Sequence, residues 1–397
     1  MTITSPSITP STTPPPTSSR PRVAVVIGGR SSEREISLES GRHIFQTLDV
    51  SRWEPTAVYM DALGRLWEIG LPLIVQNTTA DIDARLEHDA KRLPWETLPE
   101  RFDIVYIGLH GKYGEDGCFQ GLLELLDVPY VGSGVLGSAL GMDKRVQRDL
   151  LRQAGIDVPR TVAVTAAEWS GAEGAGAEGA GADGAGTNRA GTNQAVARVA
   201  ETLGFPCVVK PSREGCSTAL AVPGDAAALR MAIDEALAWD TVALVEEHIR
   251  GVEVTVVVVE DEHGRPVAFA PTETPAKGSF LTIEEKFLPG YGENITPARL
   301  PAPVLAAVRG IAERTFTALQ LRVFARIDMY VVEPVGEPGA GGEPRIVVGE
   351  PNTLPGSSPS STVFLGPIEE GILPHELLTI LLERSQAAHR SKRGPLA

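Results

Sequence analysis

Cysteine is scarce in this chain of 397 residues, which contains only Cys118, Cys207 and Cys216. Three cysteines at these spacings fit neither a disulfide framework nor the paired ligands of a zinc site. Chains without disulfides are typical of reducing compartments. The sequence therefore favours a cytoplasmic protein of two or three domains that is stabilised by its hydrophobic core.

Long apolar runs are also missing. Residues 1–21 are rich in Ser, Thr and Pro and lack the hydrophobic stretch of a secretory signal. We expect a disordered tail there, because these residues cannot bury enough apolar surface to offset the entropy of ordering. No segment approaches the roughly 20 apolar residues of a membrane-spanning helix, and the short run at 254–259 predicts a buried strand instead.

Positive charge is in deficit, since the formal net charge is −15. A surface of this sign repels nucleic acid and anionic lipid, so we expect neither as a partner. This net charge does not exclude a small anionic substrate that binds in a locally basic cleft.

The sequence has no G-x-x-x-x-G-K-[ST] pattern, which excludes a P-loop, but it contains GSGVLG at 132–137. A G-x-G-x-x-G pattern can bind a dinucleotide, so a nicotinamide-dependent oxidoreductase using Gly132 to Gly137 is one hypothesis. The strand before the motif is short, and Asp157 does not end a clear second strand. The alternative is a glycine-rich turn that lets a helix begin close to a sheet.

Strand and helix patterns alternate along the chain and predict mixed α/β (α+β) domains around a cleft. Strands are expected at 22–27, 103–109, 207–210, 243–246, 254–259, 267–270, 327–332 and 346–348, and helices at 37–48, 119–126 and 226–238. A Gly-Ala repeat at 170–194 predicts a low-complexity, flexible insertion, and the glycine-rich segment 338–342 predicts a loop tip.

Polar residues that suit a nucleotide and a metal lie near the ends of these predicted strands. They are Lys144, Lys210, Glu246, Glu247, Glu253, Arg326, Asp328, Glu350 and Asn352. Lysines neutralise phosphates as point charges, and the small-residue loop at 215–217 can offer backbone N–H groups to phosphate oxygens. Mg²⁺ prefers hard oxygen ligands such as Asp328, Glu350 and Asn352, and the last two share a face if the segment is extended.

Several short motifs in a fixed order resemble the D-alanine–D-alanine ligase family. They are GGRSSEREIS at 28–37, HGKYGEDG at 110–117, QGLLE at 120–124, PYVGSG at 129–134, MDK at 142–144, KPSREG at 210–215, ARID at 325–328 and NTLPG at 352–356. The resemblance runs from about residue 23 to residue 383, apart from the two insertions.

This resemblance implies an ATP-grasp fold with a Rossmann-like N-terminal α/β domain at 22–143, a central domain at 144–246 and a C-terminal domain at 247–393. It also implies a cytoplasmic homodimer in peptidoglycan biosynthesis that binds ATP between the last two domains. Two Mg²⁺ ions are expected, with Mn²⁺ as a possible substitute. The substrates are small D-amino acids or D-hydroxy acids: a D-alanyl acyl phosphate forms, and a second substrate attacks it.

The resemblance also assigns roles by matching positions. Lys144 and Lys210 bind ATP phosphates, assisted by Cys216 and Ser217, while Glu246, Glu247 and Glu253 contact the adenine and ribose. Asp328, Glu350 and Asn352 hold the metal. Glu33 orients the first D-alanine near His110, Arg326 and the N–H of Gly356 form the oxyanion site, Ser361 binds the acceptor carboxylate, and Lys286 belongs to the catalytic loop. Without the resemblance, Glu33 could be a helix-dipole acid and His110 a buried, hydrogen-bonded histidine.

Two departures from the family pattern concern the acceptor. The usual Glu-Ala-Lys-Tyr reads EEKF at 284–287 here, and Cys216 replaces a serine. In typical members that tyrosine and serine bond to the glutamate matching Glu33, and Phe287 has no hydroxyl with which to do so. We therefore keep open a D-Ala–D-lactate or other D-Ala–D-X ligase, beside an ordinary dipeptide ligase. A relative that binds nucleotide without catalysis is disfavoured because Arg326, Asp328, Glu350 and Asn352 are all present.

Overall fold

The computed structural model describes residues 8–9, 20–171, 184–215, 218–275, 293–332 and 343–392, without the side chains of 184–190 and 392. Most of the predicted tail lies outside these residues, as do Cys216, Ser217 and the segment 338–342. The chain falls into two compact units: Met142–Gly251 is one, and Met1–Gly141 together with Val252–Ala397 is the other. The three-domain division stays a prediction.

The first sheet of the larger unit has the strand order β4-β3-β2-β1-β5. Its strands are β1 (Arg22–Gly28), β2 (Glu54–Met60), β3 (Leu66–Ile69), β4 (Ala90–Leu93) and β5 (Ile104–Ile107). β1 pairs in parallel with both β2 and β5, and its residues 23–27 are fully buried. A central parallel strand is covered on both faces, which explains its unbroken apolar sequence.

Helices pack on this sheet and carry the loops at its edge. They are α1 (Arg34–Thr47), α2 (Leu71–Ile74), α3 (Thr79–Asp83), α4 (Leu86–Asp89), α5 (Leu98–Arg101), α6 (Cys118–Leu125) and α7 (Val135–Met142), with a 3₁₀ turn at Trp95–Thr97. α1 lies so close to β1 that a Cβ on Gly41 would stand 1.8 Å from Ile27 Cγ2. A glycine at this position is therefore required for the helix to approach the sheet.

The smaller unit has a three-stranded antiparallel sheet of order β6-β8-β7. Its elements are α8 (Lys144–Gln153), β6 (Thr161–Thr165), α9 (Ala166–Trp169), α10 (Gly184–Thr202), β7 (Cys207–Pro211), α11 (Ala226–Trp239) and β8 (Val242–Glu247). α11 begins after Asp225, whose carboxylate accepts from the N–H groups of Ala227 and Ala228. The predicted strands and the helix at 226–238 are confirmed.

The second sheet of the larger unit is antiparallel, with the order β10-β9-β12-β13 and β11 added to β9. Its strands are β9 (Val252–Glu260), β10 (Pro266–Ala268), β11 (Thr272–Glu273), β12 (Phe324–Val332) and β13 (Arg345–Asn352), and the later helices are α12 (Ala302–Ala318), α13 (Thr362–Glu369) and α14 (Pro374–Lys392). The predicted hairpin is β9 and β10. None of the described helices has the length and apolar character that crossing a membrane requires.

Among the element boundaries that differ from the sequence predictions, two change the interpretation of the chain. α10 begins at Gly184, so the irregular insertion predicted through residue 194 is wrong for 184–194, while 172–183 lie outside the described residues. Local propensity does not explain this part of the helix, since residues 184–194 contain three glycines and only two alanines. β13 continues through Asn352 instead of ending at residue 348. The predicted metal ligands therefore lie within paired strands.

Candidate active site

Arg326, Asp328, Glu350 and Asn352 lie together on the paired strands β12 and β13. Asp328 is opposite Glu350 and Arg326 is opposite Asn352 in the antiparallel register. Directly opposed side chains of an antiparallel pair are close neighbours on one face. A bulge follows Asp328, because Met329 pairs with Val348 and Gly349 is left over. The extended backbone thus brings two carboxylates, an amide and a guanidinium to one place.

Asp328 is the centre of this group. Arg326 forms a forked ion pair with it, through Nε to Oδ1 at 2.9 Å and Nη2 to Oδ2 at 2.8 Å. The hydroxyl of Thr255 donates to Oδ1 at 3.0 Å, and the Asn352 amide donates to Oδ2 at 3.2 Å. Asp328 is 9% exposed, so the charge is held where water screens it poorly. The sequence predicted that Asp328 acts together with Glu350 and Asn352, but it did not predict the bonds to Arg326 and Thr255.

The donor atoms of this group fit a hard divalent cation. Asp328 and Glu350 supply carboxylates at opposed positions, and Asn352 supplies an amide oxygen if its side chain turns. Among the residues the structure describes, no three His, Cys, Asp or Glu side chains gather as metal ligands. The predicted set contains only two carboxylates, so the remaining ligands of a magnesium ion would come from phosphate and water.

His110 connects the end of β5 to the segment 354–357. Its Nδ1 is 3.1 Å from the Leu354 carbonyl oxygen and 3.1 Å from Glu115 Oε1, and its Nε2 is 3.0 Å from Ser40 Oγ. The histidine is 5% exposed, and both ring nitrogens have protein neighbours. His110 is therefore the buried, hydrogen-bonded histidine that the sequence left open, and a contact with substrate stays a prediction.

Glu33 occupies the N-cap position of α1 without bonding to the helix through its side chain. It is 7% exposed, and a Cβ on Gly111 would lie 2.8 Å from its Oε1. Gly111 has φ +68°, which a larger residue would adopt only with strain. The glycine that follows His110 therefore brings the histidine loop up to the Glu33 carboxylate.

The two residues that follow Glu33 are fixed by a polar network that the sequence did not reveal. Arg34 Nη2 donates to the hydroxyl of Tyr59 at 2.6 Å and to Asp83 Oδ2 at 2.9 Å. Glu35 accepts from the N–H and hydroxyl of Thr79. Burial raises the pKa of Tyr59, and the nearby charge of Arg34 only partly opposes this, so the phenol stays protonated. Strand β2 and helix α3 thus hold the start of α1 in place.

Gly356 and Ser361 lie in one short segment before α13. Ser361 is the N-cap of that helix, and its oxygen accepts from the N–H of Val363 at 3.4 Å. Its hydroxyl donates to the Gly356 carbonyl oxygen. The structure therefore shows Ser361 in a capping role, and its hydroxyl would have to rotate to bind an acceptor carboxylate.

Lys144 and Lys210 lie in the smaller unit together with Arg148 and Glu246. Glu246 Oε1 is 2.9 Å from Arg148 Nε, and its Oε2 is 2.8 Å from Lys210 Nζ. Lys144, one turn before Arg148 on α8, donates from Nζ to the Glu214 carbonyl oxygen at 2.6 Å. Burial raises the pKa of Glu246, but the charges of Arg148 and Lys210 outweigh it and lower the pKa to about 2. Two cations, Arg148 and Lys210, thus accompany one carboxylate, and Lys144 lies one helical turn from Arg148.

Glu247 and Glu253 are the other two residues predicted to contact the nucleotide, and each has other partners. Glu247 accepts from Arg160, through Nε at 2.9 Å and the backbone N–H at 3.1 Å. Glu253 is in β9 opposite Tyr330 of β12, and its carbonyl accepts from the N–H of Thr274. Cys216, Ser217, Lys286 and Phe287 lie outside the described residues.

The glycines of the GSGVLG motif pack against protein. A Cβ on Gly132 would lie 2.7 Å from Leu354 Cδ2, and one on Gly137 would lie 2.7 Å from the Gln320 carbonyl oxygen. The space that a dinucleotide pyrophosphate would need beside the motif is therefore filled. The glycines serve the close approach of α7, as the alternative interpretation predicted.

Three residues of these groups were missed from the sequence, namely Ser40, Arg148 and Thr255. Arg148 could have been found, because it lies one helical turn after Lys144 on the same face of α8. Ser40 lies about two turns after Glu33 on α1, so its face was predictable. Its partner Ser357 lies so far along the chain that no local pattern indicates it. The contact of Thr255 with Asp328 could be found only from the register between β9 and β12.

Comparison with known proteins identifies the family. The model described as "D-ala D-ala ligase N-terminus" matches residues 22–133, and that described as "D-ala D-ala ligase C-terminus" matches residues 185–383. The chain belongs to the D-alanine–D-alanine ligase family. A D-alanine–D-alanine ligase of Chlorobaculum parvum is 32% identical over 375 residues, which cover 91% of this chain and 95% of the relative.

Two solved structures of D-alanine–D-alanine ligases share the fold. The enzyme of Coxiella burnetii is 25% identical with a TM-score of 0.73, covering 94% of this chain and 96% of its own. The enzyme of Bacillus anthracis, solved with ATP, is 25% identical with a TM-score of 0.65, covering 94% of this chain and 100% of its own. The predicted ATP-grasp fold class is confirmed, and the protein is an ATP-dependent carboxylate–amine ligase.

Proposed function

We propose that the protein joins D-alanine to a second D-amino acid for peptidoglycan biosynthesis in the cytoplasm. An oxygen of the first D-alanine carboxylate attacks the γ-phosphorus of ATP, and ADP leaves. The amine of the second substrate then attacks the carbonyl carbon, loses a proton and displaces phosphate. The observation that carries this proposal is the Arg326, Asp328, Glu350 and Asn352 group, because it combines a cation for a developing oxyanion with oxygen ligands for a metal.

ATP phosphates bind to Lys144 and Lys210, with Cys216 and Ser217 in the adjoining loop. The excess of cations over Glu246 supports this assignment, since a buried site of net positive charge attracts a polyanion. Glu246, Glu247 and Glu253 are assigned to the adenosine part of the nucleotide by family resemblance.

Asp328, Glu350 and Asn352 would hold Mg²⁺, which would supply neutralisation of the phosphate charge. The chain's own part is to hold these oxygens in register, which the β12–β13 pairing does. Arg326 must share Asp328 with the ion, because its guanidinium occupies both carboxylate oxygens in this structure.

The first D-alanine is oriented by Glu33, whose buried carboxylate suits an ammonium group. His110 fixes the adjacent loop. In the second step the carbonyl oxygen becomes negative, and Arg326 with the N–H of Gly356 stabilises it. Ser361 receives the acceptor carboxylate, and Lys286 is assigned to catalysis. These roles rest on matched positions in the family.

Phosphate release tests the proposed function directly. With ATP, Mg²⁺ and D-alanine alone, we expect one ADP and one phosphate for each D-Ala–D-Ala dipeptide, identified by mass. Adding EDTA should abolish turnover. If turnover requires D-lactate or D-serine, the enzyme joins D-alanine to that acceptor and does not make the D-Ala–D-Ala dipeptide. No product with any D-acceptor would overturn the proposal.

The acceptor choice is expected to depend on Phe287. Without the tyrosine hydroxyl, the field around the incoming nucleophile is less polar, so a neutral hydroxy acid competes better with an ammonium. Phe287→Tyr should lower the ratio of D-lactate to D-alanine incorporation by about tenfold, the effect of one hydrogen bond to a charged group. Competition assays at fixed total acceptor measure the ratio. Phe287→Leu is the control, and a ratio unchanged in both variants would mean that this position does not choose the acceptor.

A homodimer is proposed through an apolar patch on α6 and α7. Leu125 is 88% exposed, Leu136 54% and Val135 43%. Leu125 lies one turn beyond Gly121, where an added Cβ would lie 3.9 Å from Val135 Cγ2, so the three exposed side chains come from neighbouring helices. Leu125→Glu should give a monomer by light scattering at micromolar concentration. Leu63→Glu, which changes another exposed leucine, in the β2–β3 turn, should stay dimeric, and a dimeric Leu125→Glu would exclude this patch.

A further inference from the structure

Ser357, which follows the proposed oxyanion residue Gly356, has both of its backbone polar groups held by one helix. Its N–H donates to Ser40 Oγ at 3.1 Å. Its carbonyl oxygen is 2.8 Å from His43 Nδ1, which must carry the proton because a carbonyl can only accept. Ser40 and His43 are three residues apart on α1, so they project from the same face.

The neighbouring peptide groups are fixed in the same way. Ser361 donates to the carbonyl oxygen of the Gly356–Ser357 peptide, and Ser40 accepts from the N–H of that same peptide. His110 Nδ1 is within hydrogen-bond distance of the Leu354 carbonyl oxygen. The segment 354–357 is thus attached at four points, two of them from α1.

The hydrogen-bond directions are consistent with a single proton arrangement. His110 carries its proton on Nδ1, which faces Leu354 O and Glu115, so its Nε2 accepts. The Ser40 hydroxyl then donates to His110 Nε2 and accepts from the N–H of Ser357. Ser40 is 1% exposed, so water cannot replace it without a rearrangement. A rigid chain therefore runs from His110 through Ser40 to the Gly356–Ser357 peptide.

We infer that Ser40 and His43 are positioning residues for the second half-reaction, an assignment that rests on the proposed oxyanion role of Gly356. By fixing the peptides around Ser357, they aim the Gly356 N–H at the carbonyl oxygen that becomes negative. A hydrogen-bond donor that is already aligned stabilises a transition state more than a donor that must first reorient. Neither residue touches substrate in this assignment.

Variants of His43 separate the hydrogen bond from packing. The ring of His43 meets Phe364 edge-on, with centroids 5.2 Å apart. His43→Phe keeps that aromatic contact and removes the donor, whereas His43→Asn keeps a donor near the Nδ1 position and removes the contact. We expect His43→Phe to lower kcat about five- to tenfold, the effect of one hydrogen bond, with the KM for ATP unchanged. His43→Asn should recover most of the loss.

Ser40→Ala and His375→Phe complete the set. Ser40→Ala removes two hydrogen bonds and should lower kcat more than His43→Phe, with a thermal unfolding curve reporting any loss of folding. His375 lines the same surface groove as His43 but has no described bond to the loop, so His375→Phe should behave as wild type.

The outcomes separate this inference from the proposed function. Active wild type with unchanged kcat in His43→Phe would overturn the positioning role. A larger loss in His43→Asn than in His43→Phe would also overturn it, because the lost aromatic contact would then be the cause. A rise in the KM for ATP in His43→Phe would point to general distortion and also count against it. Inactive wild type would instead contradict the proposed function.

Discussion

Replacing Arg326 with methionine is expected to lower kcat by about two to three orders of magnitude, the loss that follows removal of one oxyanion donor. Methionine keeps the length and packing of the aliphatic part of the side chain but removes the guanidinium. Asp328 keeps its bonds to Thr255 and Asn352, so the strand pair should stay folded. Initial rates of phosphate release and the thermal unfolding midpoint measure the two effects.

The response to Mg²⁺ distinguishes an oxyanion role from damage to the metal site. Arg326 covers both oxygens of Asp328, so its removal leaves that carboxylate more available to a cation. The concentration of Mg²⁺ for half-maximal rate should therefore fall or stay constant while kcat falls. A higher requirement for Mg²⁺ would mean that Arg326 supports metal binding instead.

Arg326→Lys is the matched control because it keeps the charge and loses the fork. A lysine ammonium is a point charge that cannot bond to two oxygens in one plane. We expect Arg326→Lys to lower kcat by about tenfold, less than Arg326→Met, because the charge remains and only its orientation is lost. A methionine variant with kcat within tenfold of wild type would contradict the assignment of Arg326 to the transition state.

Much of the fold could be predicted because its signals are local. The run 23–27 is apolar without interruption and forms β1, the most buried position of its sheet. The two-residue spacing of Glu350 and Asn352 predicted a shared face, and the register of β13 with β12 shows how: Glu350 faces Asp328 while Asn352 faces Arg326. Alternation along one strand determines which side chains share a face, whatever the partner strand is.

The contacts that position the site could not be predicted because they join distant segments. His43 and Ser357 are 314 residues apart, and Arg148 and Glu246 are 98 apart. Periodicity predicts that Ser40 and His43 share a helix face but does not say which loop packs against it. The family motifs identified Glu33, and only the structure shows Arg34 and Glu35 fixed by Asp83 and Thr79.

Replacing Glu246 with glutamine is expected to lower the free energy of unfolding of the smaller unit by about 3 kcal/mol, the cost of removing one partner from a buried ion pair. Glutamine keeps the shape of the side chain, but the cations of Arg148 and Lys210 lose their counter-charge. The Arg148 side chain is 1% exposed, so water cannot solvate it instead. Hydrogen exchange of the β7 and β8 amides in denaturant measures the stability of this unit.

Glu247→Gln is the control on the next residue of the same strand. Its partner Arg160 has a side chain that is 60% exposed, and pairs of this kind contribute less than about 1 kcal/mol. Equal losses in the two variants would show that burial of the pair does not matter, and no loss in Glu246→Gln would contradict the prediction.

The destabilisation caused by Glu246→Gln should depend on pH in a defined direction. Burial raises the pKa of Glu246, but the charges of Arg148 and Lys210 lower it to about 2, below the ordinary value of 4.5. The carboxylate thus stabilises the folded state fully above about pH 4.5, and this stabilisation is lost as the pH falls towards 2. The difference in stability between wild type and Glu246→Gln should therefore be largest near pH 7 and shrink from about pH 4.5 downwards. A difference that stays constant down to pH 3 would place the loss in packing, because the other carboxylates are the same in both proteins and only the charge of Glu246 distinguishes them.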